Sequence, residues 1–278
     1  MPDKVETVGN SVVQHGSFND RIYLMHLCPS DHGSILDNLE RIAKENEYSK
    51  IFAKVPSCRK EDFLSSGYME EAYIPGFFAG RDGASFMCKY FSESRMLNEE
   101  AEGNRDVLQT AFSKNGKEGT AELEDDVSCM LCTGEDVMRM GEIYGDVFAT
   151  YPFPIHDPAY LLKMMSENVL YFCIKEDDRI IALSSCEMDI ENRNVEMTDF
   201  ATLPECRGKG YSQYLLNEME KEMSRRGMIT SYTIARAGSY GMNIVFSRNS
   251  YEYTGTLVKN TNIAGKLENM NVWYKTLG

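Results

Sequence analysis

Apolar and polar positions along this chain switch between two periods, and each switch marks an element. Val137, Met140, Ile143, Tyr144 and Val147 recur at helical spacing, so residues 134–149 read as a helix. Thr133 is its expected N-cap, with Asp136 three positions on as a capping-box partner, and Tyr151-Pro152-Phe153-Pro154 stops it. A second helix is expected over 157–167, then strands over 168–175 and 179–188 joined at Asp177-Asp178. Val195 to Leu203 holds no Gly or Pro and has the length of a core strand. Beyond it, Leu215, Leu216, Met219 and Met223 line one face of a helix over 211–226. Glu218, Lys221, Glu222 and Arg225 line the other face, and Gly227 supplies the stop. A strand over 231–237, a short helix over 241–248 and strands near 252–259 and 271–276 complete this half.

The N-terminal half repeats the end of that order. A helix over 36–47 leads to a strand over 50–55, a short helix over 62–66, and strands over 70–78 and 85–91. Phe63-Leu64-Ser65-Ser66-Gly67-Tyr68 stands where the later copy has Phe246-Ser247-Arg248-Asn249-Ser250-Tyr251. The pattern implies a degenerate half-copy that completes a sheet or covers a substrate site. Polar residues 99–126, with a short helix around 105–114, divide the two halves. The expected division is 1–98, a linker region 99–128, and 129–278.

Candidate chemistry concentrates just after the strand ending at Leu203. Arg207-Gly208-Lys209-Gly210-Tyr211-Ser212 is a basic glycine turn opening a helix. Free main-chain N–H groups at such a helix start cradle phosphate oxygens, and two glycines admit a pyrophosphate close to the backbone. Arg207 and Lys209 add positive charge. No Gly-Lys-Ser/Thr loop and no Gly-x-Gly-x-x-Gly after a strand competes with this reading.

Strand, turn and helix together resemble the coenzyme A pyrophosphate site of the GNAT acetyltransferase superfamily, Gln/Arg-x-x-Gly-x-Gly/Ala, with Arg207, Gly210 and Ser212 at the matching positions. Ser212 departs from the usual Gly or Ala. The resemblance, which spans Cys129 to the C-terminus, implies an α/β (α+β) fold with a mixed central sheet and flanking helices. It also implies acetyl-CoA as co-substrate, with no metal. An irregular point in the signature strand is then expected to expose main-chain N–H groups at Phe200, Ala201 and Leu203. Gly208, Lys209, Tyr211 and Ser239 complete the cofactor contacts. Glu196 falls where histone-type members carry their glutamate base and shares a strand face with Thr198. Asp199, expected on the opposite face, is a competitor or an anchor for a substrate ammonium. The family's tyrosine acid is replaced by Phe246, which leaves Tyr240, Tyr251, water or unassisted departure of the thiolate.

Glu-Met-Thr-Asp-Phe-Ala-Thr-Leu-Pro at 196–204, Tyr-Pro-Phe-Pro-Ile at 151–155 and Met-Asn-Val-Trp-Tyr-Lys at 270–275 are similar to the β-lysine N-acetyltransferase group of that superfamily. That similarity extends into the N-terminal half. It implies N6-acetylation of (3S)-β-lysine to Nε-acetyl-β-lysine, a compatible solute made under salt stress. The acceptor's carboxylate would meet Arg236 or Lys259, and its second ammonium Glu187, Asp189 or Glu252. Another small amine (lysine, a polyamine or an aminoglycoside) and a non-catalytic acyl-CoA sensor stay open as alternatives.

Bulk properties narrow the partners. With 278 residues and 42% hydrophobic content, the chain can build one large or two modest domains. A net charge of −14 argues against nucleic acid. No apolar run is long enough to span a bilayer and no signal pattern opens the chain, so a cytoplasmic protein without membrane partners is expected. A small amine is the expected partner, with homodimerisation open. The eight cysteines are scattered, and the pair Cys129 and Cys132 lacks a second pair or suitably spaced histidines, so reduced structural thiols are expected over a zinc site.

Overall fold

The computed structural model describes residues 3–117, 123–124 and 126–278. Its N-terminal unit runs β1 (Lys4–Val8), β2 (Ser11–Gly16), β3 (Arg21–His26), α1 (Ile35–Glu45), β4 (Lys50–Pro56), α2 (Lys60–Ser65), β5 (Met69–Phe78) and β6 (Asp82–Tyr90). Helices α3 (Glu93–Met96) and α4 (Ala101–Phe112) connect it onward. The C-terminal unit runs β7 (Val127–Leu131), α5 (Val137–Val147), α6 (Pro158–Ser166), β8 (Val169–Glu176), β9 (Arg179–Asp189) and β10 (Asn194–Thr202). It continues with α7 (Tyr211–Arg225), β11 (Thr230–Arg236), α8 (Tyr240–Arg248), β12 (Glu252–Ile263) and β13 (Lys266–Thr276).

Strands β1 to β3 and β7 have no counterpart in the sequence pattern. β1 and β7 leave most of their residues in solvent, so neither carries an apolar alternation. Helix α5 also begins later than its pattern suggests. Asp136 stands at the N-cap position without a side-chain cap bond, yet the expected Thr133–Asp136 pair forms one turn earlier, with the Asp136 carboxylate accepting from the Thr133 N–H and from Lys175 Nζ, both at 2.8 Å.

The strand order is β1-β2-β3-β4-β6-β5 in one sheet and β7-β8-β9-β10-β11-β13-β12 in the other. Strands β1 to β6 thus repeat the arrangement of β8 to β13. In each, one parallel pair (β3 with β4, β10 with β11) is bridged by a helix, as a parallel crossover requires. The duplicated part is larger than a half-copy, since only the counterparts of β7, α5 and α6 are missing. The two crossovers differ where it matters. Both leave their strand through a 3₁₀ turn, Pro29–Asp31 and Pro204–Cys206. The first ends at Asp31, whose carboxylate accepts from the Asn10 N–H and Ser11 Oγ, each at 2.7 Å, and only His32, Gly33 and Ser34 follow before α1, without the basic two-glycine turn of the later copy.

Strand alternation gives each sheet two apolar faces. Ile51, Ala53, Val55 and Met87 pack under α1 and α2, while Phe52, Ala84 and Phe86 face the other sheet. Tyr232, Leu257, Met270 and Val272 answer them from β11, β12 and β13, and Ala235 and Trp273 turn back toward α5, α7 and α8. The molecule is therefore layered as helices, sheet, sheet, helices, with the two sheets closed on each other. Helix α4 docks on α8, where Ser247 Oγ donates to the Ala111 carbonyl at 2.8 Å. Among the described residues no helix is long and apolar enough to cross a membrane.

Candidate active site

Strand β10 pairs with β11 only from Asn194 to Glu196, and past that point the two strands diverge. Its register with β9 slips between Thr198 and Ala201. Asp199 sits in the slip with φ of 54°, a left-handed conformation that Asp tolerates better than most residues. The Tyr151 hydroxyl donates to Asp199 Oδ1 at 2.5 Å and Ser185 Oγ donates to Oδ2 at 2.7 Å, which fixes the bulge.

The bulge reassigns the faces of the strand. Asp199 does not oppose Glu196 as plain alternation predicts; it borders the same cavity as Glu196 and Thr198. Ala201 and Leu203 turn into the core at 1% and 3% exposure, and the Leu203 N–H is spent on the Ile181 carbonyl at 3.0 Å. Of the three expected main-chain contacts, Phe200 alone borders the open groove, joined by Thr202.

That groove, about 510 Å³, lies between β10, the glycine turn and α8. Gly208 and Gly210 have φ of 86° and 83°, which glycine adopts without strain, and a side chain at Gly208 would meet only open space. Among the described residues, no backbone N–H from Gly208 through Gln213 finds an acceptor in the protein. Arg207, Gly208, Gly210, Tyr211, Ser212 and Ser239 border the groove. Lys209 does not, because its ammonium lies toward Glu124 and Glu176, at 3.7 and 3.8 Å. Ser239 caps α8, its Oγ accepting from the Met242 N–H at 3.4 Å. Asn243 anchors that helix. Its Nδ2 donates to the Arg236 and Ser239 carbonyls, and its Oδ1 accepts from Asn271 and from the Trp273 indole.

On the other side of β10 a cavity of about 330 Å³ opens between the two units. The C-terminal unit supplies Glu187, Asp189, Glu196 and Asp199; the N-terminal unit supplies Arg21, Tyr23, Phe52 and Lys54. Glu196 stands directly opposite Glu187 across β10 and β9. Burial, with the neighbouring Asp199 and Glu196 charges, pushes the Glu187 carboxyl well above its ordinary range, although the residue keeps exposed surface toward the cavity. Burial likewise raises Glu196, opposed by Lys54 and by a hydrogen bond with the Tyr232 hydroxyl, and it raises Asp199 against the Tyr151 and Ser185 bonds. Burial pulls the Lys54 ammonium down, but Tyr23 and the carboxylates of Glu196, Asp189 and Glu187 outweigh it and its pKa is raised. Lys54 Nζ donates to Tyr232 Oη at 3.2 Å.

A smaller space joins the groove to this cavity. Tyr151, Asp199 and Ile234 border both the passage and the cavity, and Phe200, Arg236 and Ser239 border both the passage and the groove. Arg236 therefore belongs to the groove side and not to the cavity where an acceptor anchor is expected. Lys259 lies outside, bound to the Ser94 carbonyl and Glu99, and Glu252 accepts from the Tyr274 hydroxyl at the surface. Phe246 is buried, as is Tyr251, whose hydroxyl pairs with Ser231 at 2.5 Å; Tyr240 borders a separate surface recess. Tyr151 is the one tyrosine that borders the passage among the described residues.

Arg21, Lys54, Tyr151 and Tyr232 are the site residues that sequence reasoning misses. Lys54 carried a signal, as a lone charge inside Ile51-Phe52-Ala53-Lys54-Val55. The eight cysteines are all free thiols.

Residues 139–239 match the acetyltransferase (GNAT) family. The chain is 42% identical to a β-lysine N(6)-acetyltransferase of Methanococcus maripaludis over 98% of both chains. It is 32% identical to a β-lysine N(6)-acetyltransferase of Methanosarcina mazei, over 86% of this chain and 95% of that one. A third relative, the N-acetyltransferase YodP of Bacillus subtilis, is 31% identical over 96% of both.

Proposed function

Because the chain belongs to the β-lysine N-acetyltransferase group of the GNAT acetyltransferase family, and so is an amine N-acetyltransferase, we propose that it transfers the acetyl group of acetyl-CoA to N6 of (3S)-β-lysine, yielding Nε-acetyl-β-lysine. The observation that carries this reading is the acidic cavity of Glu187, Glu196 and Asp199, joined by a short passage to a groove lined with unsatisfied backbone N–H groups. The donor set of the groove fits a diphosphate, since the glycine turn aims main-chain hydrogen at the start of α7 and Arg207 adds charge. Acetyl-CoA supplies the activated acyl group there. The opening between β10 and β11 leads from the turn toward Asp199.

An alkylammonium ionises near a pKa of about 10.4, so the acceptor must lose a proton before it attacks. Glu196 takes that proton, directly or through one water. A carboxylate whose pKa is raised by burial is a stronger base than an ordinary one, and the Lys54 charge and the Tyr232 hydrogen bond oppose that rise. Tyr232 and Lys54 form a hydrogen-bonded chain behind it that steadies the carboxylate. Asp199, locked by Tyr151 and Ser185, holds the acceptor ammonium in line with the passage. Acetylation removes one positive charge and leaves a neutral zwitterion, which suits a solute accumulated under salt stress.

Thiol release from acetyl-CoA with a panel of amines tests the acceptor. Turnover should be fastest with β-lysine, and faster turnover with spermidine or α-lysine would overturn that choice. Coenzyme A binding with no thiol release for any amine would instead favour an acyl-CoA sensor.

A further inference from the structure

The cavity between the two units is electrically two-sided. All its carboxylates come from the C-terminal unit, and both of its cations, Arg21 on β3 and Lys54 on β4, come from the N-terminal unit. Strand alternation turns Arg21, Tyr23, Phe52 and Lys54 toward the C-terminal sheet, with the Tyr23 and Phe52 rings stacked at 4.6 Å and the Arg21 guanidinium 5.4 and 5.7 Å from their centroids.

Burying a cation is costly unless an anion answers it. Among the described residues, the other buried lysine and arginine obey that rule: Lys50 pairs with Glu71 at 3.2 Å and Arg95 with Asp20 at 3.1 Å. Arg21 does not. At 4% exposure it has no carboxylate within 4 Å among the described residues. Its Nη1 meets only neutral oxygens, the Asn260 carbonyl and Thr261 Oγ1, and its Nε has no partner at all. Burial pulls its pKa down to about 10, so it remains charged near neutrality. Lys54 is similar, since its one hydrogen bond goes to the Tyr232 hydroxyl and none of its ion pairs is closed. Among the described residues neither cation has a carboxylate within 4 Å, although Glu196, Asp189 and Glu187 act on Lys54 at longer range.

We propose that Arg21 and Lys54 bind the carboxylate of the acceptor, so that the N-terminal unit selects amino acids over simple amines. This rests on the amine-acetyltransfer reading of the same cavity. The ligand implied is a zwitterion with its carboxylate against β3 and β4 and an ammonium against Glu196 and Asp199, the end that faces the passage. The N-terminal unit, whose own crossover lacks the basic two-glycine turn, thereby acts as the specificity wall of a site whose chemistry lies in the other unit.

The test compares β-lysine with the same diamine lacking its carboxyl group, in the full chain. Wild-type protein should prefer β-lysine. Lys54→Met and Arg21→Gln should each raise KM for β-lysine about 10- to 100-fold, the range of one lost charge-assisted contact. With Arg21→Gln, turnover of the carboxyl-free diamine should stay within about threefold, so the preference collapses toward unity. With Lys54→Met, which also removes an ammonium facing Glu196, the readout is the ratio of the two acceptors' KM values, which should collapse likewise whatever happens to kcat. Acetyl-CoA affinity by calorimetry should not change, which also reports on folding. Lys54→Met carries the test alone if Arg21→Gln proves unstable, because Lys54 is only partly buried. Equal loss toward both acceptors, or an unchanged KM for β-lysine, would overturn the assignment. A wild-type protein that acetylates α-lysine in place of β-lysine refutes the acceptor choice, and the same paired comparison, α-lysine against its carboxyl-free diamine, then decides the anchor. Wild-type preference for the carboxyl-free amine refutes the anchor and leaves amine acetylation standing.

Discussion

Glu196 is asked to be a base while facing a second glutamate across the strand pair and an aspartate three residues on. Its position resolves the apparent conflict. Burial raises all three carboxyls and repulsion adds to it at Glu187 and Glu196, and an incoming ammonium relieves that repulsion, so acceptor binding and deprotonation of Glu196 reinforce each other. Glu196→Gln keeps the shape and the Tyr232 contact but removes the proton acceptor. Turnover at neutral pH should fall about 10²- to 10⁴-fold while acetyl-CoA affinity is retained, as stopped thiol-release assays and calorimetry can measure. Unaltered turnover would remove Glu196 from the mechanism and leave Asp199 as the base. Glu196 was legible in the sequence because it sits at a fixed distance before a recognisable glycine turn. Arg21 and Tyr151 were not, because nothing near them in the chain announces that they converge on the same space; only the packing of two sheets does that.

At the scale of elements, β9 and β10 carry the strain of the site. Like charges directly opposite on adjacent strands destabilise a sheet, and the Glu187–Glu196 pair is such a case. The sign of its pH dependence follows from the raised Glu187 pKa. A carboxyl whose folded value lies above the unfolded value of about 4.3 favours folding most when protonated, so its penalty is absent below that value and grows as pH rises through the folded one. Glu187→Gln should therefore raise Tm at pH 7–8 and leave it unchanged near pH 3.5, as paired melts by circular dichroism would register. A gain of equal size at both pH values would mean that packing, not charge, is responsible. The elements themselves were read from periodicity where a buried face repeats, as in α7 with Leu215, Leu216, Met219 and Met223. Periodicity failed for β1 and β7, edge strands whose residues mostly face solvent, and it placed Asp199 on the wrong face because a bulge leaves no mark in the apolar pattern.

Across the whole molecule, the acceptor cavity exists only while the two sheets stay closed on each other, and one glycine sets how closely they approach. Strands β5 and β12 are the end strands of their sheets, and they meet at Gly255, where a side-chain carbon would lie 1.9 Å from the Glu71 carbonyl oxygen and 3.0 Å from the Ala72 Cα. Both obstacles are backbone, which cannot swing aside as a side chain can. Around this contact Glu71 Oε1 accepts from the Val258 N–H at 3.3 Å, and Lys50 Nζ donates to the Val258 carbonyl at 2.7 Å, so the junction also holds a buried ion pair in register. Gly255→Ala must push β12 from β5 or distort one of them. Overpacking of this kind costs about 1–3 kcal/mol, or about 2–4 °C in Tm per kcal/mol for a chain of this order of size. Because the displacement opens the interface that also carries Arg21 and Lys54, KM for the acceptor should rise more than the acetyl-CoA Kd, whose groove lies on the far side of β10 within the C-terminal unit. A variant with lowered Tm and both affinities unchanged would show that the sheets can separate at this edge without disturbing the cavity.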